Sequence, residues 1–145
     1  PVPSEPWPAV CWQADVLSPN QAEAEQLTRI AVQDRTSAET AAKQLLARGA
    51  RAVLLKLGEL GALWQTADEP PLLVPAFPVQ PVDTTAAGDA FTAGFATAWS
   101  AGQSIPEAVR WACAVGACAT LKPGAQPAMP TAAEVEAFLA KQPSV

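Results

Sequence analysis

Histidine and tyrosine are absent from this chain of 145 residues, methionine occurs once, and aromatic residues make up only 6%. Without histidine there is no Ser/His/Asp or Cys/His relay and no histidine-bearing zinc site. The three cysteines, Cys11, Cys113 and Cys118, include no close-spaced pair, which excludes a structural zinc and leads us to expect reduced, intracellular thiols. Charged residues are few, at 16%, and the net charge is −5 with no basic cluster, which argues against a nucleic-acid or anionic-membrane surface. No apolar run reaches the roughly 18 residues of a membrane span, and no signal-peptide pattern opens the sequence, so the expected compartment is the cytoplasm.

Proline is the exception to this scarcity. Its fifteen copies concentrate at Pro1 to Pro8, Pro70 to Pro81 and Pro123 to Pro130, and such clusters mark connections between elements. The chain length suits one ordinary domain, burying about two-thirds of its unfolded surface without disulfide or metal staples.

After an irregular lead-in over residues 1–13, Ala14 to Ser18 reads as a short strand ended by Pro19-Asn20. Asn20 is suited to cap a helix from Gln21 to Arg29, and Ser37 to cap a second through Ala47, closed by Gly49. Arg51 to Leu57 is an apolar run suited to a buried parallel strand. A turn at Gly58-Glu59-Leu60-Gly61 leads to a strand at Ala62 to Thr66, and extended segments are expected at Leu72 to Phe77 and Val79 to Val82. Three helices follow: Gly88 to Ala101, Pro106 to Leu121 capped by Ser104, and Ala132 to Lys141 capped by Thr131. Strands alternating with helices predict a layered α/β domain, its central sheet mostly parallel with a small antiparallel part. Ligands of such sheets bind at the carboxyl ends of the strands, where Asn20, Gly58 and the segment from Asp83 to Asp89 are expected to lie.

Asp83-Thr84-Thr85-Ala86-Ala87-Gly88-Asp89-Ala90-Phe91 is the most informative stretch. Its small residues sit where an extended run hands over to an apolar-periodic helix, so the amides of Ala86, Ala87 and Gly88 are expected to point outward without partners. Such a helix start favours phosphate or a developing phosphoryl charge. Asp89, beside it, is placed to take a proton from an attacking alcohol. The alternative reading is an ordinary helix start with an acid favoured by the helix dipole.

This stretch resembles the Asp-Thr-x-Gly/Ala-Ala-Gly-Asp signature of the ribokinase-like (PfkB) carbohydrate kinases. The resemblance implies an α/β/α fold and ATP-dependent phosphorylation of a sugar hydroxyl, with Asp89 as catalytic base contacting the substrate and Ala86, Ala87 and Gly88 as the anion hole. Asn20-Gln21-Ala22-Glu23 resembles the family's Asn-x-x-Glu signature, which implies that Asn20 serves nucleotide phosphate and Glu23 a Mg²⁺ ion through water. The same spacing is also a helix capping box, and both roles can coexist. Lys56-Leu57-Gly58-Glu59-Leu60-Gly61 resembles the nucleotide-binding turn, or is a plain turn in which glycine supplies positive φ. Cys113 stands where ribokinases contact the nucleotide base, although a thiol can only pack or bond weakly. Trp99 and Trp111 read as core residues.

The stretch from Ala119 to Pro130, with its Gly124-Ala125-Gln126-Pro127 core, resembles the ribokinase branch of the family. There a K⁺ ion activates the enzyme beside the anion hole, and by position its ligands here would be Asp83, Thr85, Ala119, Lys122, Gly124 and Ala128. A Pro/Gly linker between two helices is the alternative. The resemblance covers about Asp15 to Lys141 and corresponds to the carboxyl-terminal half of such a kinase, so residues 14–145 are expected to form its nucleotide-binding and catalytic half. The implied reaction is ribose to ribose 5-phosphate. Fructokinase, nucleoside kinase and deoxygluconate kinase activities, or a non-catalytic nucleotide-binding lobe, are the alternatives. The sugar pocket and lid lie outside the stretch, so the chain alone is expected to be inactive and to self-associate or pair with an amino-terminal half.

Overall fold

The computed structural model describes residues 7–142. The chain divides into two compact units, Pro1–Leu73 and Val74–Val145.

In the first unit the expected irregular lead-in contains a short 3-10 helix, Ala9–Gln13. The strand expected over Ala14 to Ser18 is reduced to two isolated parallel bridges, Leu17 with Val53 and Asn20 with Lys56. Pro19 lies between them and has no N–H to donate, so the ladder is interrupted there; its carbonyl still accepts from the Lys56 amide at 2.9 Å. Helix α1, Gln21–Thr28, starts at Asn20 as expected and stops at Arg29, whose backbone is left-handed with φ 62°. Helix α2 spans Arg35–Ala47, beginning earlier than the sequence suggested. Asp34, not Ser37, is its cap: Asp34 Oδ1 accepts from the Ser37 amide at 2.8 Å, and Ser37 Oγ accepts from the Asp34 amide at 3.1 Å.

Strands β1, Ala52–Lys56, and β2, Ala62–Thr66, pair antiparallel in a register from Ala52 opposite Thr66 to Lys56 opposite Ala62. β1 thus has the predicted parallel neighbour on one side and an antiparallel one on the other. A third strand, β3, Leu72–Val74, completes the order β1-β2-β3. It ends before the predicted Phe77, and the predicted strand from Val79 to Val82 is absent. Pro75, Pro78 and Pro81 withdraw a backbone donor at every third position, so the segment cannot continue a ladder. Alternate residues Val53, Leu55 and Leu57 of the β1 region pack with Leu27, Ala38, Ala41, Ala42 and Leu45 of the two helices. The alanines let the helix backbones approach the sheet closely.

The second unit is helical. α3 spans Ala87–Ser100, α4 Ile105–Ala119 and α5 Ala132–Leu139, with a 3-10 turn at Gln126–Ala128. Its core gathers Ala90, Ala114, Val115, Cys118, Ala119 and Val135, with Phe77, Trp111 and Phe138 packed against it. Phe77 meets Phe138 edge-on at 5.4 Å, and the Arg110 guanidinium lies over the Phe77 ring, also at 5.4 Å. Trp111 therefore packs as expected, whereas Trp99 stacks on Phe95 at 5.7 Å and stays 44% exposed. Among the described residues no helix is long and apolar enough to cross a membrane.

The short connection between α3 and α4 makes them antiparallel neighbours, and Gly94 sets how closely they meet. A Cβ at Gly94 would lie 2.8 Å from Val115 Cγ2 and 2.9 Å from Val115 Cβ. Gly94→Ala is expected to destabilise the second unit by about 1–3 kcal/mol through overpacking. Thermal melts check this, and Val115→Ala in the same chain should restore part of the loss.

Candidate active site

The turn that leads into α3 is organised by Asp83. Its Oδ1 accepts from the Thr85 amide at 2.9 Å and its Oδ2 from the Gly124 amide at 2.8 Å. The Asp83 and Val82 amides donate in turn to the Thr120 carbonyl, at 3.2 and 2.8 Å. Hydrogen bonds to the charged carboxylate, from the Thr85 side chain first and then from the Gly124 and Thr85 amides, hold its pKa down from 3.8 to about 2. A single carboxylate thus joins the extended run, the turn and the loop around Gly124.

Ala86 follows in the left-handed region at φ 58° and is the N-cap of α3, with no side-chain cap. An uncapped helix start leaves amides exposed. The sequence pointed to Ala86, Ala87 and Gly88. The Ala87 amide instead donates to the Thr84 carbonyl at 3.2 Å, closing the turn. The amides with no hydrogen-bond partner among the described residues are those of Ala86, Gly88 and Asp89. The Asp89 side chain is exposed in the first turn of α3, next to those amides. Its own backbone contribution could have been anticipated from the first-turn rule.

The loop after α4 brings further expected residues near this turn. Gly124 has φ 91°, a backbone that glycine adopts without strain. The carbonyls of Ala119, Lys122, Gly124 and Ala128 accept no hydrogen bond among the described residues. Ala119 and Ala128 are themselves buried. Side chains offer nothing comparable: no three His, Cys, Asp or Glu among the described residues group to hold a metal. A cation here would need backbone oxygens together with Asp83, a donor set suited to a large, weakly hydrated ion. Cys113 lies in α4 and is only 8% exposed, and burial pushes its thiol up to about 12, so it stays neutral.

The remaining expected residues cluster within the first unit. Asn20 and Lys56 are bridge partners. The Asn20–Glu23 capping box forms: the Glu23 amide donates to Asn20 Oδ1 at 2.9 Å, and Glu23 Oε2 accepts from the Asn20 amide at 2.8 Å. Among the described residues only one carboxylate oxygen of Glu23 is used, which leaves Oε1 for a metal-bound water and makes capping and metal roles compatible. Gly58 turns with φ 57°, and a Cβ there would lie 3.5 Å from Gln21 Oε1 at the start of α1. The turn is closed by the Leu57 amide on the Gly61 carbonyl at 2.8 Å and the Leu60 amide on the Leu57 carbonyl at 3.1 Å. Leu57 therefore has its backbone occupied and its side chain in the core, at 1% exposure, while Gly58, Glu59 and Leu60 face outward.

Residues 6–132 match the model of the pfkB family carbohydrate kinases. The chain belongs to that family. This pfkB-family chain is 39% identical to a ribokinase of Haemophilus influenzae over 125 residues, 86% of the chain and 40% of that protein. It is 33% identical to a deoxyribokinase of Salmonella typhi over 127 residues, 88% of the chain and 41% of that protein. A solved structure of Arabidopsis thaliana ribokinase complexed with ribose and ATP superposes with a TM-score of 0.88 at 34% identity, covering 93% of the chain and 44% of that structure. The fold is therefore ribokinase-like and incomplete, and the chain spans about two-fifths of the length of the relatives it matches.

Because the Asp83 pKa is lower in the folded state, its contribution to stability is present above about 3.8 and is lost as pH falls through about 2. Acid melts of the chain are expected to show this loss. In Asp83→Asn the loss over that window should shrink and stability at neutral pH should fall.

Proposed function

We propose that this pfkB-family chain is the nucleotide-binding and catalytic half of an ATP-dependent sugar kinase that transfers the γ-phosphoryl group to a sugar hydroxyl. Residues 14–145 carry that role, and ribose, giving ribose 5-phosphate, is the proposed acceptor. The observation that carries the reading is the uncapped start of α3, where the amides of Ala86, Gly88 and Asp89 have no partner among the described residues and the Asp89 carboxylate is exposed beside them. The ribose and ATP held by the Arabidopsis ribokinase support the choice of acceptor and donor. Deoxyribose is the second reading, favoured by the match to the deoxyribokinase.

Phosphoryl transfer asks little covalent chemistry of the protein and depends on positioning and electrostatics. The three amides and the positive end of the α3 dipole would stabilise the charge that develops on the transferred group. Asp89 would accept the proton of the attacking hydroxyl. Asp83 keeps the amides in place by fixing the turn that precedes them. Asn20 and the free oxygen of Glu23 would meet phosphate and the waters of Mg²⁺, a cation that neutralises phosphate charge and keeps most of its own waters. Lys56, Gly58, Glu59 and Leu60 would flank the nucleotide. The carbonyls of Ala119, Lys122, Gly124 and Ala128, with Asp83 and Thr85, would hold a K⁺ ion. We assign Cys113 packing beside the nucleotide, since a neutral buried thiol has little to offer a base.

The chain spans about two-fifths of the length of its relatives, and we propose that groups in the remainder of such a kinase hold the sugar, so that turnover is sought with a complementing amino-terminal half. Joined to that half of the Haemophilus ribokinase, the chain is expected to phosphorylate ribose with ATP. Asp89→Asn should lower kcat by about 10²–10⁴-fold with ATP binding retained. A coupled ADP-release assay checks this, and undiminished turnover in Asp89→Asn would remove the base assignment.

A further inference from the structure

Glu134 lies in α5, outside every group assigned above, yet both of its carboxylate oxygens are engaged. Oε2 accepts from the Thr131 amide at 2.8 Å and from Thr131 Oγ at 3.1 Å. Oε1 accepts from Lys122 Nζ at 2.6 Å. Thr131 and Lys122 stand at the two ends of a Pro/Gly-rich loop with little regular structure of its own. One carboxylate therefore closes the loop, as a staple would. Inside the loop the Gly124 amide reaches Asp83 Oδ2 at 2.8 Å, and the other oxygen of Asp83 holds the Thr85 amide. A continuous path runs from Glu134 through Lys122 and Gly124 to Asp83 and the start of α3. Capping alone does not require the Lys122 contact: Ser104 and Glu107 make the same kind of box at α4, and among the described residues Glu107 has no hydrogen bond or ion pair to a lysine.

We propose that Glu134 and Lys122 are positioning residues for the phosphate-binding turn, closing the loop from Lys122 to Thr131 so that Gly124 holds Asp83 in place. This rests on the functional reading of that turn, but the geometry can be tested without turnover. The pair is half-exposed, at 45% and 46% for the two side chains, so its effect is modest. Such pairs shift local equilibria by about two- to fivefold.

The test is amide hydrogen exchange in the chain bearing Lys122→Met, which removes the ion pair and leaves the Thr131 cap, alongside Lys122→Arg, which keeps the charge. Lys122→Met is expected to speed exchange at Gly124 and Thr85 together by about two- to fivefold, leaving Ala112 in α4 unchanged, while Lys122→Arg stays near the parent rate. Unchanged exchange at Gly124, or a rise that is uniform over the second unit, would overturn the proposal. The same variants in the complemented chain separate the two readings. A fall in kcat with Lys122→Met, restored by Lys122→Arg and with the KM for sugar unmoved, supports both. Faster exchange at Gly124 and Thr85 without any change in ATP binding or kcat would support the loop closure and overturn the role of Lys122 and Glu134 in positioning the turn, leaving the assignment of the turn to phosphate standing.

Discussion

The second unit depends on what Asp83 does with its two oxygens. The segment before it is barred from the sheet by prolines, and the segment after it has no capping side chain, so neither end has a ladder or a cap to fix it. A carboxylate that accepts one amide from the turn and another from a loop 41 residues onward replaces both. Ionised acceptors form the stronger hydrogen bonds, and here the charge is already stabilised by its partners. The left-handed backbone of Ala86, the occupied amide of Ala87 and the unpartnered amides around it follow from the path that this anchor imposes.

Function separates from stability along the same lines. Three donors without partners among the described residues, at an uncapped helix start, are a structural cost that the proposed phosphoryl site would put to use. The Asn20–Glu23 box in the first unit shows a milder version of the same economy, since the carboxylate satisfies a backbone amide with one oxygen and keeps the other available. In a family whose chemistry is mostly positioning, fixing backbone amides matters as much as supplying reactive side chains.

Much of this was legible in the sequence because it rests on local rules. Asn20, Ser104 and Thr131 cap helices where the pattern placed them, and β2 has the bounds expected for it. The failures are equally local in origin. Serine is favoured at caps, which makes Ser37 the expected one, but Asp34 three residues earlier competes better and casts Ser37 as its partner. The run from Leu72 to Val82 is apolar enough to suggest an extended strand, but its proline spacing denies the hydrogen bonds a ladder needs beyond Val74. The occupied amide of Ala87 depends on the conformation of Thr84 and Ala86, and the contact of Lys122 with Glu134 joins residues too far apart for any helical spacing rule. Those two features needed the three-dimensional path.

The proposed function requires the start of α3 to receive phosphate through particular amides. Titration of Mg-ATP into the isotopically labelled chain, followed by backbone amide resonances, tests it most directly. Saturable shifts are expected at Ala86, Gly88 and Asp89, with Ala87, already bonded to Thr84, moving much less. Saturable binding that leaves those three amides unmoved would contradict it.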